Sequence, residues 1–192
     1  MNATSSKLRM PHLRLLTSRL ELVAATVELA KAEINNLPLL AQLLDTPTPT
    51  NWPPPLNDEH SQQHLLASLQ NAEANDAGWN LWFCIRREAR ELVGNAGFKG
   101  SPTDGLVEIG YSMLETHQRH GYATEAVQAL IDWAFQNRGV QRVVADTLPG
   151  LTPSIRVMEK SGFVFIGDGP MEDGMRTIRY ELIRARFQAS VS

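Results

Sequence analysis

Residues Gln118 to Glu125 read Gln-Arg-His-Gly-Tyr-Ala-Thr-Glu, a glycine turn with two basic side chains placed directly before an amphipathic run. A turn entering a helix leaves the first backbone N–H groups without helical partners. With the positive end of the helix dipole behind them, those amides suit a phosphate or pyrophosphate. Gly121 allows a backbone to come close to an anion, and Ala123 is small enough not to obstruct it. A lone glycine turn before a helix is common, so its flanks decide the reading. Two other sets of reactive side chains carry less. His60 and His64 lie four apart, a spacing that can set two imidazoles on one metal, but no third ligand follows and solvent-facing rings are expected. Cys84, the only cysteine, stands between Phe83 and Ile85, where a thiol is expected to be buried and inert. A single cysteine excludes an internal disulfide and a four-cysteine metal site, and no metal is expected.

The elements around the turn are legible from their periods. Val107, Ile109, Tyr111 and Met113 alternate with Glu108, Gly110, Ser112 and Leu114, the two-residue period of a strand. After the turn, Ala123, Ala126, Val127, Leu130, Ile131, Ala134 and Phe135 recur at helical spacing, with Gly139 as the stop. Arg142 to Leu148 reads as a buried strand, parallel to the one before Gln118 because a whole helix separates them. Thr152 and Pro153 suit the N-cap and first turn of a short helix that Gly162 ends. Phe163 to Ile166 and Thr177 to Ile183 make two last strands across the Gly167 to Gly174 loop.

Upstream, Leu20, Leu22 and Val23 suggest a first strand. Thr26 caps the first of two short helices broken at Asn35 and Asn36, the second running from Pro38 to Leu44. Five prolines around Trp52, from Pro47 to Pro55, then forbid regular helix. That stiff loop either lines a substrate pocket through Trp52 or connects elements while Trp52 covers the core. Asp58 caps a helix running to about Asn75, with Leu65, Leu66 and Leu69 on its buried side. Asn80 to Arg86, Glu91 to Phe98 and Leu106 to Leu114 are expected as an antiparallel meander, with a bulge or close backbone approach at Gly94 and Gly97.

The expected organisation is a flexible segment 1–14, one domain over 15–186 and a tail 187–192. Its class is α+β: a mixed, mostly antiparallel sheet of about seven strands with helices on both faces. A composition of 43% hydrophobic and 20% charged residues is that of an ordinary globular protein. The net charge of −3 argues against a general nucleic-acid surface. No run approaches the ~20 apolar residues of a membrane span, and Arg14, Arg19 and Glu21 interrupt any signal-peptide core, so the expected compartment is the cytoplasm.

The order of strand, Gln-Arg-His-Gly-Tyr-Ala turn, helix and strand, followed by Ser154-Ile-Arg-Val-Met-Glu-Lys-Ser-Gly-Phe163, resembles the GNAT superfamily of N-acetyltransferases. The nearest branch is similar to the RimJ/RimL type, which acetylates protein α-amino groups and includes enzymes for small amines. The resemblance runs from about Leu15 to Ile183. It implies that Gln118, Arg119, His120, Gly121, Tyr122, Ala123 and Thr124 bind the pyrophosphate of coenzyme A. It further implies a splayed parallel strand pair in the middle of the sheet, with the pantetheine arm in the gap and the backbones of Met113 and Leu114 bonded to it; ordinary ladder pairing is the other role open to them.

Acetyl transfer needs a neutral amine, and an α-amino group of pKa about 7.7 to 8.0 is roughly a tenth neutral at pH 7, against about one in several thousand for lysine. Glu108 is the candidate base, directly or through water, and a partner to the acceptor. It shares its face with Gly110 and Ser112, whose small side chains leave room. Pairing with an arginine is the other role open to it. By resemblance Ser154 contacts the departing sulfur as the candidate acid; a serine in a first helical turn can equally serve a local hydrogen bond. The family's pantetheine-contacting asparagine falls at Leu151 and the tyrosine acid of many relatives at Met158, and neither replacement can do that job. The implied activity is transfer of acetyl from acetyl-CoA to a primary amine, a protein N-terminus or a small molecule, by direct attack. The alternative is a weakly catalytic acyl-CoA sensor. A monomer or homodimer is expected, with no nucleic-acid or membrane partner. A nucleotide P-loop is disfavoured, because the Gly-Lys-Ser/Thr ending is missing.

Overall fold

The computed structural model describes residues 12–73, 76–172 and 174–191. Among the described residues, fourteen regular elements and a short 3-10 turn follow one another. They are β1 (Arg14–Leu16), β2 (Leu20–Ala24), α1 (Val27–Asn35), α2 (Leu37–Leu44), α3 (Glu59–Asn71), β3 (Leu81–Arg86), β4 (Glu91–Phe98), β5 (Leu106–Met113), the 3-10 turn Glu115–His117, α4 (Tyr122–Gln136), β6 (Arg142–Thr147), α5 (Thr152–Lys160), β7 (Val164–Asp168), β8 (Ile178–Ile183) and α6 (Arg184–Val191). The strands form one eight-stranded sheet in the order β1-β2-β3-β4-β5-β6-β8-β7. Every neighbouring pair is antiparallel except β5 and β6, which run parallel. The mixed α+β architecture is therefore as expected.

The sheet has two faces, each with its own core. On one, α4 buries Ala126, Val127, Leu130, Ile131, Ala134 and Phe135 against Leu20, Leu22, Val107, Ile109 and Val143. On the other, Leu29, Leu40 and Leu44 from α1 and α2 and Leu65 from α3 meet Val23, Phe83, Ile85 and Leu92. Strand alternation divides these sets, so residues one apart on β3 serve opposite cores. Burying a leucine such as Leu130 is worth about 2–5 kcal/mol against alanine.

Local signals explain most boundaries. Thr26 accepts a hydrogen bond from Leu29 N at 3.3 Å, Asn36 from Leu39 N at 3.1 Å and Asp58 from Ser61 N at 2.9 Å, so each caps its helix. Both glycines of β4 act as anticipated. The β3–β4 register shifts beside Gly94, and a Cβ on Gly97 would meet Asn80 O at 2.4 Å.

Four details differ. An eighth strand exists because Arg14–Leu16 pairs with β2, tied further by an Arg14–Glu21 ion pair. Helix α3 ends at Asn71, short of Asn75, which lies outside the described residues. The N-cap of α5 is Leu151 rather than Thr152, whose hydroxyl instead donates to Gly150 O at 3.3 Å. The boundary expected at 186/187 falls inside α6, where Arg184 donates to the carbonyls of Val140 and Phe135 at 2.8 and 2.7 Å and to that of Asn137. Of the segment 1–14, residues 1–11 lie outside the described residues, and Arg14 already belongs to β1.

Candidate active site

The parallel pair is short. Leu106, Val107 and Glu108 register with Arg142, Val143 and Val144, and the pairing stops there although β5 continues to Met113 and β6 to Thr147. From Ile109 onward β5 is bonded to β4 alone, so the sheet opens into a wedge whose vertex is at Glu108. A backbone edge left unpaired there needs another partner.

The open end leads into the glycine turn. Gly121 is the N-cap of α4 at φ 82°, with no side-chain cap, and the first helical hydrogen bond runs from Glu125 N to Gly121 O at 3.0 Å. The amides of Tyr122, Ala123 and Thr124 therefore precede that bond. Arg119 also takes a left-handed φ, 64°. His120 Nδ1 lies 2.8 Å from Gln118 O, and its ring stacks on Tyr122 at 5.8 Å between centroids. Tyr122 itself is buried, with the Arg19 guanidinium 4.9 Å from its ring centroid.

Residues the sequence did not point to fix this turn. Glu125, in the first turn of α4, accepts from Thr17 Oγ1 at 2.6 Å, Ser18 Oγ at 3.0 Å, Arg19 N at 2.8 Å and Arg19 Nε at 2.6 Å. Burial alone would raise its pKa, but the donors from Thr17, Arg19 and Ser18 together hold it below the ordinary value. Arg19 also donates to His120 O at 2.9 Å. The run Thr17-Ser18-Arg19, three consecutive donors in a turn, was the available signal.

The backbone of Met113 and Leu114 is bonded within the protein. Met113 O accepts from Gln118 Nε2 at 3.2 Å; Leu114 N donates to Val93 O at 3.0 Å, and Leu114 O accepts from His117 N at 2.8 Å. Of these partners Gln118 is the flexible one, a side chain rather than a ladder bond.

Glu108 and Ser154 lie on opposite sides of the wedge. Glu108 is ion-paired to Lys99, whose Nζ also contacts Glu172 at 2.6 Å, and stands 3.7 Å from Arg179. Arg179 in turn holds Asp146 at 2.6 Å. Glu108, Asp146 and Glu172 bring carboxylate oxygens within 4.8 Å of one another, and Lys99 and Arg179 supply the balancing charge. On this face a Cβ at Gly110 would meet nothing within 4 Å, so space is open beside Glu108. Ser112 Oγ donates to Pro55 O, seating the proline loop over the strand. Ser154, half-buried in the first turn of α5, is met from β5 by the Tyr111 hydroxyl at 3.0 Å from its Oγ.

Trp52 is 6% exposed and packs on Phe83, with ring centroids 6.1 Å apart. Its indole N–H donates to Glu33 Oε1 at 3.0 Å, as does Asn57 Nδ2 at 2.9 Å, while Glu33 Oε2 has no partner. Burial pushes the Glu33 carboxyl up to about 7 against those two donors. Trp52 thus anchors the loop from within. A cavity of about 260 Å³ lined by Asn51, Pro53, Pro55, Leu114 and Glu115 lies under it, beside the open end of β5. A larger hollow of about 340 Å³, lined by Asp76, Trp79, Gly105 and Gly139 among others, sits at the opposite end of β5, so size does not mark the site. His60 and His64 are exposed. Cys84 is fully buried, which pushes its thiol up to about 12, and an unionised buried thiol is inert.

A mixed sheet that opens between its parallel pair, with a free-amide turn at the mouth of the opening, defines the class of folds that hold an anionic, arm-like ligand in a seam. The chain belongs to the GNAT acetyltransferase family, whose Acetyltransferase (GNAT) domain profile matches residues 26–164. It is 36% identical over 88 residues to the uncharacterized N-acetyltransferase YjdG of Bacillus subtilis (strain 168), covering 45% of this chain and 52% of that one. It is 31% identical over 138 residues to the uncharacterized N-acetyltransferase p20 of Bacillus licheniformis, covering 70% and 77%. The chain spans about half the length of YjdG. Among solved structures, the ribosomal L7/L12 α-N-protein acetyltransferase RimL in complex with coenzyme A superposes with a TM-score of 0.63 at 19% identity, over 88% of this chain and 96% of that one. At that identity the likeness is one of fold. No helix among the described residues is long and apolar enough to cross a membrane.

Proposed function

We propose that this chain is an acetyl-CoA-dependent N-acetyltransferase that passes acetyl to a primary amine by direct attack on the thioester. The observation that carries the reading is the wedge: β5 and β6 part after Glu108 and Val144, and the opening runs straight to the uncapped amides before Glu125. The residues present fit coenzyme A. The turn amides, with Arg119 and His120 beside them, suit the pyrophosphate, and the unpaired edge of β5 suits an amide-bearing arm.

In this reading the acceptor enters on the face of Glu108, Gly110 and Ser112, under the proline loop. Glu108 takes the proton of the attacking amine, directly or through water. The N–C bond forms, the C–S bond breaks with its electron pair on sulfur, and Ser154 donates to that sulfur from the other face. A thiol of pKa about 8.5 leaves readily, so the acid has a modest task. No covalent enzyme intermediate is involved, in keeping with an inert Cys84. The acceptor is a protein N-terminal α-amine or a small-molecule amine; the likeness to RimL, an α-N-protein acetyltransferase, supports the first and no residue here excludes the second.

Leu151, 43% exposed at the start of α5, and Met158, fully buried, favour a second reading, a coenzyme A-binding sensor with little turnover. Incubating the purified protein with acetyl-CoA and a panel of amines and N-terminal peptides separates the two. Amine-dependent thiol release is expected; thermal stabilisation by acetyl-CoA without thiol release would overturn the enzyme reading.

A further inference from the structure

Tyr111 reaches across the open wedge. Its hydroxyl lies 2.9 Å from Ser154 O and 3.0 Å from Ser154 Oγ, forty-three residues on in the chain. The strand period sends Tyr111 and Glu108, three apart, to opposite faces, and the contacts agree: Glu108 meets Lys99 and Arg179, while Tyr111 meets α5.

A phenol has one proton, so Tyr111 cannot donate to both oxygens of Ser154 at once. When it donates to the carbonyl, the Ser154 hydroxyl can turn its own proton back to the phenol oxygen. When it donates to Oγ, the Ser154 proton is released to point elsewhere. Burial pushes the phenol up to about 12, so it keeps its proton at neutral pH. The other side chains that could have served here, Leu151 and Met158, have no proton to give.

We propose that Tyr111 is a positioning residue for the leaving-group step: its hydroxyl holds Ser154 Oγ and, by donating to it, aims the serine proton at the departing sulfur. This rests on the N-acetyltransferase reading above. Tyr111 itself forms no bond to substrate and gives up no proton. The electron pair of the broken C–S bond goes to sulfur, Ser154 O–H donates to it, and the proton lost by the amine leaves through Glu108 or water.

The test is a double-mutant cycle on Tyr111→Phe and Ser154→Ala, reading amine-dependent thiol release. Y111F is expected to lower kcat about tenfold with KM for acetyl-CoA unchanged within about twofold. S154A is expected to lose a similar factor, and the double variant no more than S154A alone, because the two hydroxyls act as one unit. Independent losses that multiply in the double variant, or a Y111F change confined to KM, would overturn the inference. Should Y111F fail to fold, Ser154→Thr and Ser154→Gly read the same contact from the other side. The threonine keeps the hydroxyl and is expected within about threefold of the parent kcat, the glycine about tenfold below it; equal losses in both overturn the proposal. Thiol release by the unaltered protein with an unchanged kcat in Y111F removes this inference alone, whereas no release by the unaltered protein removes the transferase reading.

Discussion

Glu125, half-buried at the glycine turn, and Glu33, buried under the proline loop, are built in opposite ways. Glu125, at the glycine turn, has donors on both oxygens from Thr17, Ser18 and Arg19, and its pKa is held down. Glu33, under the proline loop, has two donors on one oxygen and none on the other, and its pKa rises to about 7. The first is a charged anchor that fixes the helix end proposed to meet the coenzyme pyrophosphate. The second is an acid poised to be neutral, supporting the loop proposed to cover the acceptor. Depth and donors together separate them: Glu33 is buried with one oxygen bare, whereas Glu125 is half-buried with donors on both.

The pH dependences follow with opposite sign. Glu125, depressed when folded, adds stability that is present above the unfolded value of 4.5 and is lost as pH falls through the folded pKa. Glu33, raised when folded, adds stability at low pH that is lost as pH rises from 4.5 through about 7.

Replacing Glu125 by alanine would break the comparison at its stronger end. It is expected to cost about 3 kcal/mol, lowering Tm by roughly 10 °C, because several charge-assisted bonds go at once. Acetyl-CoA affinity should fall with it, and equilibrium binding alongside thermal melts reads both; an unchanged Tm would show that the β1–β2 turn holds the helix by other means. Glu33→Gln keeps an acceptor for Trp52 and Asn57 without the charge. It should stabilise the protein at pH 8 by roughly 2 kcal/mol and flatten the decline between 4.5 and about 7, as urea titrations at several pH values would register. A smaller effect, about 1 kcal/mol, is expected for Gly121→Ala, since φ is 82° and a Cβ would stand 3.3 Å from Arg19. Its cost should appear in acetyl-CoA affinity and leave the acceptor KM alone. Ser112→Ala, which frees the proline loop from β5, should cost under ~1 kcal/mol and do the reverse, raising acceptor KM with the cofactor constant unmoved. If the two KM effects are not separable, the two ends of the wedge are not independent.

Much of this is readable in the sequence alone. Helix α4 and its turn carry a strong period and a glycine, and Thr26 and Asp58 advertise their helices because capping is a local interaction. β1 escaped notice because three residues show no alternation and owe their conformation to β2 and the Arg14–Glu21 pair. α6 escaped because it follows β8 without a cap, and its anchors are carbonyls of Phe135, Asn137 and Val140. Within the site, the backbone turn was legible and the side-chain partnerships were not. Tyr111 reads simply as an apolar-face strand residue, and its contact to Ser154 spans forty-three positions that no period encodes. The buried Glu33 had one signal, its place four positions after Leu29 on the apolar side of α1, and nothing local says that Trp52 would find it.

The early end of the β5–β6 ladder also makes the sheet a recorder of its own occupancy. Its missing rungs leave the wedge-facing edges of Ile109–Met113 and Ala145–Thr147 without a strand partner, while the outer edges pair with β4 and β8. Amide protons there should exchange with solvent faster than those of β3 and β4, and slow when an arm of amide groups fills the opening. Isotope uptake along two short stretches of chain would thus report, without any substrate turning over, whether the seam has been stitched shut.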